Sequence, residues 1–301
     1  MTPIQSIGNI LGNDLYIKRE DLIPYCFGGN KARKGKLFFQ DIDNGNYDTV
    51  VTYGSSHSNH CRVIANMAAE RGLSCIIITP EEVSDQTFNS QMMELFQAEI
   101  VSVPVAQVHD TIEQVIDHLR RSGKYPYFIP GGGHGNIGTE AYVQCYKEIR
   151  NYMFDYVFLA SGTGTTQAGL ICGKLQNNDP VNIIGISIAR KKPRGRQVIL
   201  ESIRDYMGTV EKSDEATVFI DEYTGDGYGI GNNEIKKTIV EMLVNYGIPL
   251  DSTYTGKAFY GMKKYLEEQN IHGKKILFIH TGGTPLFFDD LLKIDCVNME
   301  E

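Results

Sequence analysis

The sequence predicts an α/β protein built on open parallel sheets, and three observations predict it. From residue 48 onward, short apolar runs alternate with stretches of helical periodicity, the pattern of βαβ units. Those runs are apolar throughout rather than at every second position, as strands covered on both faces by helices require. Glycine-rich segments recur just after the runs, where ligands of open sheets bind.

The elements follow in order. Residues 48–53 form a buried strand. Residues 59–71 form a helix, with Val63, Ile64, Met67 and Ala68 on one face and Gly72 as its stop. A strand over 74–79, a helix over 86–97, a strand over 99–103 and a helix over 109–121 come next. A short strand at 127–129 leads into a helix over 137–151. Then come a strand at 155–160, a helix at 167–175 and a strand at 181–187. Helices over 234–246 and 257–268 and a strand over 275–280 close the pattern. With 301 residues the chain suffices for one large domain or two of about 150. The four βα units of 46–150 form a smaller layer, and 1–45 joins 151–301 in a larger one.

Composition narrows the function. Apolar residues make up 42% and charged residues 22%, ordinary globular usage. Lys plus Arg number 29 against 37 Asp plus Glu, a net charge of −8, which argues against nucleic acid as a partner. No run approaches the roughly 18 apolar residues of a membrane-spanning helix, and the first residues lack the pattern of a secretory leader. The six cysteines (Cys26, Cys61, Cys75, Cys145, Cys172 and Cys296) are scattered with no C-x-x-C pair, as free thiols in a reducing cytoplasm would be. His57, His60 and Cys61 lie close together but lack a second group of ligands, so no metal is expected.

Four glycine-rich loops each follow a predicted strand and precede a predicted helix. They are Gly54 to His60, Pro130 to Asn136, Ser161 to Thr166 and Thr281 to Thr284. Small residues there leave backbone N–H groups open beside a positive helix end, an arrangement that binds phosphate. The third loop is the strongest candidate. It is no Walker loop, since no lysine follows within it. It is a poor dinucleotide fingerprint, because Gln167 stands where Gly or Ala is needed and no acid closes the next strand at Ser187 and Ile188. A single phosphate held by N–H groups and hydroxyls fits better.

Gly28-Gly29-Asn30-Lys31 places a lysine at the start of a helix over 31–42. The positive helix end and nearby Arg33, Lys34 and Lys36 disfavour its ammonium form. A lysine that loses its proton readily can form a Schiff base with an aldehyde; a solvated basic face is the plainer alternative.

Together, Lys18-Arg19-Glu20-Asp21-Leu22 and Gly28-Gly29-Asn30-Lys31-Ala32-Arg33-Lys34 resemble the cofactor-lysine segment of the D-cysteine desulfhydrase and 1-aminocyclopropane-1-carboxylate deaminase family. That family belongs to the tryptophan synthase β-like, fold-type II enzymes dependent on pyridoxal 5'-phosphate. Further segments are similar to the family in the same order: Ser58 to Arg62, Ser161 to Leu170, Tyr228-Gly229, Leu250 to Ala258, and His280 to Gly283. The resemblance implies two open parallel-sheet three-layer domains. It implies that Lys31 holds the cofactor and moves the substrate α-proton. Asn59 would meet the pyridoxal phenolate oxygen, and Gly162, Thr163, Gly164, Thr165 and Thr166 the phosphate. Thr281 would face the pyridine nitrogen. Ser58 would bind the substrate carboxylate, Asn59 and His60 would also contact the substrate, and Tyr228 and Tyr254 would flank it.

Departures from the family pattern bear on the substrate. Thr255 stands where the cyclopropane deaminases carry Glu, His134 where the family usually has Ser, and Ala141 where Gly is common. The implied activity is α,β-elimination on a small D-cysteine-like amino acid, giving pyruvate, ammonia and the leaving group, by a cytoplasmic homodimer. The alternatives are β-replacement, cyclopropane-carboxylate deamination, or a phosphate-binding module without chemistry, which Lys31 and the two tyrosines disfavour. The basic run Arg190 to Arg196 reads as a solvated loop, or as a contact for an acidic substrate group.

Overall fold

The computed structural model describes residues 1–224 and 232–293. Two sheets carry the chain. The first has four parallel strands in the order β5-β4-β3-β6, namely β3 (Thr49–Tyr53), β4 (Ser74–Pro80), β5 (Glu99–Val103) and β6 (Pro126–Phe128). The second has six strands in the order β1-β2-β10-β7-β8-β9. These are β1 (Ile4–Ile10), β2 (Asn13–Arg19), β7 (Tyr156–Ser161), β8 (Asn182–Ser187), β9 (Val218–Ile220) and β10 (Lys275–His280). Only the β1–β2 pair is antiparallel.

Both faces of each sheet are buried, which explains the unbroken apolar runs. Along β7, Val157 and Leu159 point into one cluster, and Phe158 and Ala160 into another. The first cluster is closed by α5 (Asn136–Ile149), α6 (Thr165–Asn177) and α7 (Lys192–Met207). The second is closed by α9 (Asn233–Tyr246), α10 (Thr255–Glu268) and α11 (Thr284–Leu291). On the four-stranded sheet, Val50 and Ile77 face α1 (Asn30–Asp43) and α2 (Asn59–Glu70), while Val51, Ile76 and Ile78 face α4 (Val108–Arg121). The apolar side of α1 thus packs with the smaller sheet, although β1 and β2 before it belong to the larger. Helix α5 follows the smaller sheet yet packs on the larger one.

Two stretches differ from the expectation. Residues 4–19 form a hairpin whose turn at Leu11 and Gly12 has φ of 53° and 75°, the paired left-handed geometry that suits a two-residue hairpin. The basic run at 190–196 is no loop along its length. Lys192 opens α7, Pro193 sits in its first turn, and Val198, Ile199 and Ile203 supply the buried face that the run of charge hides in the sequence.

Strand order fixes where a ligand can lie. From β3 the chain steps to β4 and β5 and then returns to β6 on the other side of β3. In the larger sheet, β8 and β9 extend to one side of β7 and β10 lies on the other. Each reversal opens a crevice at the strands' carboxyl ends. The four glycine-rich loops leave β3, β6, β7 and β10, the strands at these two reversals.

Candidate active site

All four loops line one cavity of about 350 Å³, together with Asn30, Lys31, Ile188, Ala189, Arg190 and Tyr254. Among the described residues lining it there is no Asp or Glu.

Lys31 opens α1 directly after Gly29, whose backbone lies against Thr281. A side chain at Gly29 would put its Cβ 2.7 Å from the Thr281 carbonyl oxygen, so the approach of these loops needs glycine. The Asn30 N–H donates to the same carbonyl at 2.8 Å. Lys31 Nζ donates to Gly132 O at 3.0 Å, and Lys34 Nζ reaches the same oxygen at 3.3 Å. Burial lowers the Lys31 pKa to about 8. Lys34 is pushed well below the usual lysine range by burial and then by Lys31. Two ammonium groups on one carbonyl oxygen disfavour double protonation.

The cause differs in part from the expectation. Arg33 turns away from Lys31 into a buried ion network, with Nε 2.5 Å from Glu20 and Nη1 2.9 Å from Glu148. Lys18 completes it, 2.6 Å from Glu148. Lys36 is exposed. The charged half of the Lys18 to Asp21 motif therefore anchors α1, and desolvation acts on Lys31.

The loop after β7 brings Ser161, Gly162, Thr163, Gly164 and Thr166 to the cavity. Gly164 has φ of 88° and caps α6, whose first N–H groups point outward. Asn30 Nδ2 donates to Thr166 Oγ1 at 3.0 Å, which leaves the Thr166 hydroxyl proton free for a ligand. Asn30 was not among the residues expected in the site, though it immediately precedes Lys31. Thr165 departs from its expected role. It is fully buried and its hydroxyl pairs with His134 Nδ1 at 2.8 Å, behind the loop. Thr165 can offer a ligand only its backbone N–H.

In the loop after β3, Ser58 caps α2, its Oγ accepting from the Cys61 N–H at 3.2 Å. Its own hydroxyl proton can turn either to the Cys61 thiol or to the cavity beside the positive helix end. Asn59 and His60 follow on the cavity wall. Thr52 donates its hydroxyl proton to Ile129 O at 2.7 Å, so it accepts from His60 Nε2 at 2.9 Å. His60 Nδ1 is then the bare nitrogen, and burial holds the ring's pKa well below the usual value.

Thr281 follows β10 on the cavity wall and is almost fully buried. Tyr254 lies at the start of α10, where the Asp251 carboxylate gathers the N–H groups of Thr253, Tyr254 and Thr255 at 3.0, 2.7 and 3.2 Å. The Thr255 hydroxyl donates to the same carboxylate at 2.7 Å and is absent from the cavity wall. Tyr228 lies outside the described residues. Arg190 donates to Gly162 O at 2.9 Å and faces the cavity, so one member of the basic run reaches the site.

Residues 1–282 match the family model described as "Pyridoxal-phosphate dependent enzyme". The chain belongs to that family. A D-cysteine desulfhydrase of Yersinia enterocolitica is 33% identical over 95% of this chain and 92% of its own length. A putative 1-aminocyclopropane-1-carboxylate deaminase of Pyrococcus abyssi is also 33% identical, over 95% of this chain and 90% of its own. A solved 1-aminocyclopropane-1-carboxylate (ACC) deaminase homologue superposes with a TM-score of 0.84 at 33% identity, covering 97% of this chain and 93% of that one. Cysteine synthase from Entamoeba histolytica, at 19% identity and a TM-score of 0.70, shares the fold, that of the tryptophan synthase β-like, fold-type II enzymes.

The pyridoxal-phosphate enzyme family's cofactor fits the residues present. Ser161 Oγ is buried on the cavity wall with no hydrogen-bond partner among the described residues, an orphan that a phosphate oxygen would satisfy. Close by are the α6 N-terminus for an anion and Lys31 for an aldehyde.

Proposed function

We propose that this enzyme eliminates the β substituent of a small D-cysteine-like amino acid and releases pyruvate and ammonia. The observation that carries the reading is the turning of Thr255 toward Asp251. Asp251 is engaged there by three N–H groups and the Thr255 hydroxyl, and no Asp or Glu among the described residues lines the cavity. With Thr281 opposite the ring nitrogen, as the resemblance implies, the cofactor would meet only a hydroxyl there and be a weaker electron sink. Elimination tolerates that, because the leaving group carries the electrons away. The names of the desulfhydrase relatives support the same substrate class.

Pyridoxal phosphate, when bound, would supply an aldehyde for the substrate amino group and a ring that draws electrons from Cα. Lys31 holds the cofactor aldehyde before substrate arrives and takes the α-proton afterwards. The Cα–H electron pair becomes the Cα–Cβ double bond, and the Cβ–S pair departs with the thiolate. Ser58 donates its hydroxyl to the substrate carboxylate at the start of α2. Asn59 would donate to the phenolate oxygen of the cofactor and, with His60, stand beside the substrate. Tyr254 would flank the substrate and hand a proton to the leaving group, and the resemblance to the family gives Tyr228 the same role. Gly162, Thr163, Gly164 and the Thr165 N–H hold the phosphate with the Thr166 hydroxyl. The released enamine takes up water to give pyruvate and ammonia.

The proposal includes a cytoplasmic homodimer. It takes residues 46–150 as the smaller domain and 1–45 with 151–301 as the larger. In support of that division, the four-stranded sheet is drawn only from Thr49 to Phe128; two helices cross its bounds, α1 packing with the smaller sheet and α5 on the larger. The test is ammonia and pyruvate release from D- and L-forms of β-thiol and β-chloro amino acids beside 1-aminocyclopropane-1-carboxylate, with added thiol to trap replacement products. Turnover of the β-substituted compounds is expected. Rapid deamination of the cyclopropane without β-elimination would overturn the reading.

A further inference from the structure

Arg62, on α2, is fully buried, and no carboxylate lies within ion-pairing distance of it among the described residues. Two of its nitrogens, Nε and Nη2, meet no nitrogen or oxygen acceptor there, and the Cys26 thiol lies beside the guanidinium. A buried guanidinium without a counter-charge is costly and needs an account. Its third nitrogen provides one. Nη1 donates to Asn59 Oδ1 at 2.8 Å and to Asn89 Oδ1 at 2.7 Å.

An arginine offers donors only. The amide atom that each asparagine turns toward Arg62 must therefore be its oxygen, so the guanidinium fixes the sense of both amides. Asn89, fully buried at the start of α3 (Phe88–Leu95), is left with Nδ2 as a donor. That nitrogen donates to Asn59 Oδ1 at 3.0 Å and to His57 O at 3.0 Å. Asn59 Oδ1 thus accepts from two side chains. Its Nδ2 has no partner among the described residues, and Asn59 lies on the cavity wall.

We propose that Arg62 is a positioning residue which, with Asn89, locks the Asn59 amide so that only its N–H₂ faces the cavity, as a donor to the phenolate oxygen of the cofactor. This rests on the cofactor contact assigned to Asn59 above. The geometry has a chemical consequence. An Asn59 amide free to turn would have to be held in the donating sense by the phenolate oxygen alone, since in the flipped sense two acceptors repel, and the donor would support the phenolate less.

The test uses the cofactor-loaded enzyme and reads absorption. Lysine-bound pyridoxal phosphate absorbs in two bands, according to whether the ring oxygen is phenolate or phenol, and a donor at that oxygen favours phenolate. Asn59→Ala should shift intensity from the phenolate band to the phenol band and weaken cofactor binding by about tenfold. Arg62→Met, similar in bulk but without donors, should reproduce that shift. The double variant should add nothing to it. Arg62→Lys, which keeps a donor, should restore most of the phenolate band. If Arg62→Met does not fold, Arg62→Gln serves, since its amide can present an acceptor as readily as a donor.

A folded Arg62→Met or Arg62→Gln enzyme with wild-type bands, beside an altered Asn59→Ala enzyme, would overturn the proposal. So would shifts that add in the double variant. Wild-type bands in Asn59→Ala would instead overturn the contact of Asn59 with the cofactor, and the proposal with it.

Discussion

The loops after β7 and β3 face each other across the cavity and are held in opposite ways. The loop Ser161 to Gly164 takes its turn from its own residues, with a left-handed glycine, small side chains and the start of α6, and other elements only brace it, Arg190 at the Gly162 carbonyl and α7 beside Gly164. The loop Gly54 to Ser58, with Asn59, is held from behind, by Arg62 one helical turn on and by Asn89 thirty residues away. A phosphate needs only N–H groups that point one way, which a turn can supply locally. A hydrogen bond of fixed sense to a ring oxygen needs an amide that cannot flip, and that takes a partner from another element.

Perturbing Lys31, which lies between the two loops, should have the largest effect. Lys31→Ala should lower ammonia release by about 10²–10⁴-fold and abolish the borohydride-fixed adduct in a mass spectrum. An adduct that persisted would point to Lys34, which shares the Gly132 oxygen. pH sharpens the same assignment. Only a neutral amine attacks an aldehyde, and the Lys31 pKa is lowered to about 8. The rate at which cofactor-free enzyme captures pyridoxal phosphate should therefore rise with pH up to about 8 and level off above it; a rate independent of pH would remove the lysine from that step.

Ser58→Ala tests the loop held from behind. It should cost about 1–3 kcal/mol of substrate binding, read as KM, and about 1 kcal/mol of stability through the lost cap. Cofactor affinity should not move. Gly164→Ala tests the self-shaped loop and should do the reverse. A left-handed backbone costs an L residue about 1–2 kcal/mol, and the new Cβ would sit 3.0 Å from Ile199 and 3.1 Å from Val198. Cofactor affinity and melting temperature should fall together, because the loop leans on α7. The smallest effect is expected from Asn30→Ala, about 1 kcal/mol of cofactor affinity, as Thr166 loses the donor that orients its hydroxyl.

Much of the site was legible in the sequence because its signals are local. Gly-Gly-Asn-Lys at a helix start and glycine-rich turns after apolar runs need no tertiary knowledge to be noticed, and the strand runs at 99–103 and 275–280 coincide with β5 and β10. Asn30 escaped, and Arg190 was marked only with the whole basic run, because nothing in an asparagine beside a lysine, or in one arginine among several, marks the member that reaches the cavity. Arg33 shows the converse. Its nearness to Lys31 along the chain suggested a charge acting on the lysine, whereas in space it is neutralised by Glu20 and Glu148.

The sequence by itself determined the layered α/β class, the strands that would be buried on both faces, and the loops that would end at a ligand. These follow from periodicity and from the backbone freedom of glycine, which are properties of short segments. Only the tertiary structure decided which hydroxyls and amides face the cavity. Thr165 turns to His134, Thr255 turns to Asp251, and Asn59 is turned by Arg62 and Asn89. A polar side chain takes the direction of the partner that satisfies it, and these partners come from other elements of the fold or, for Thr255 and Asn59, from a residue one turn along the chain whose own placement the packing sets.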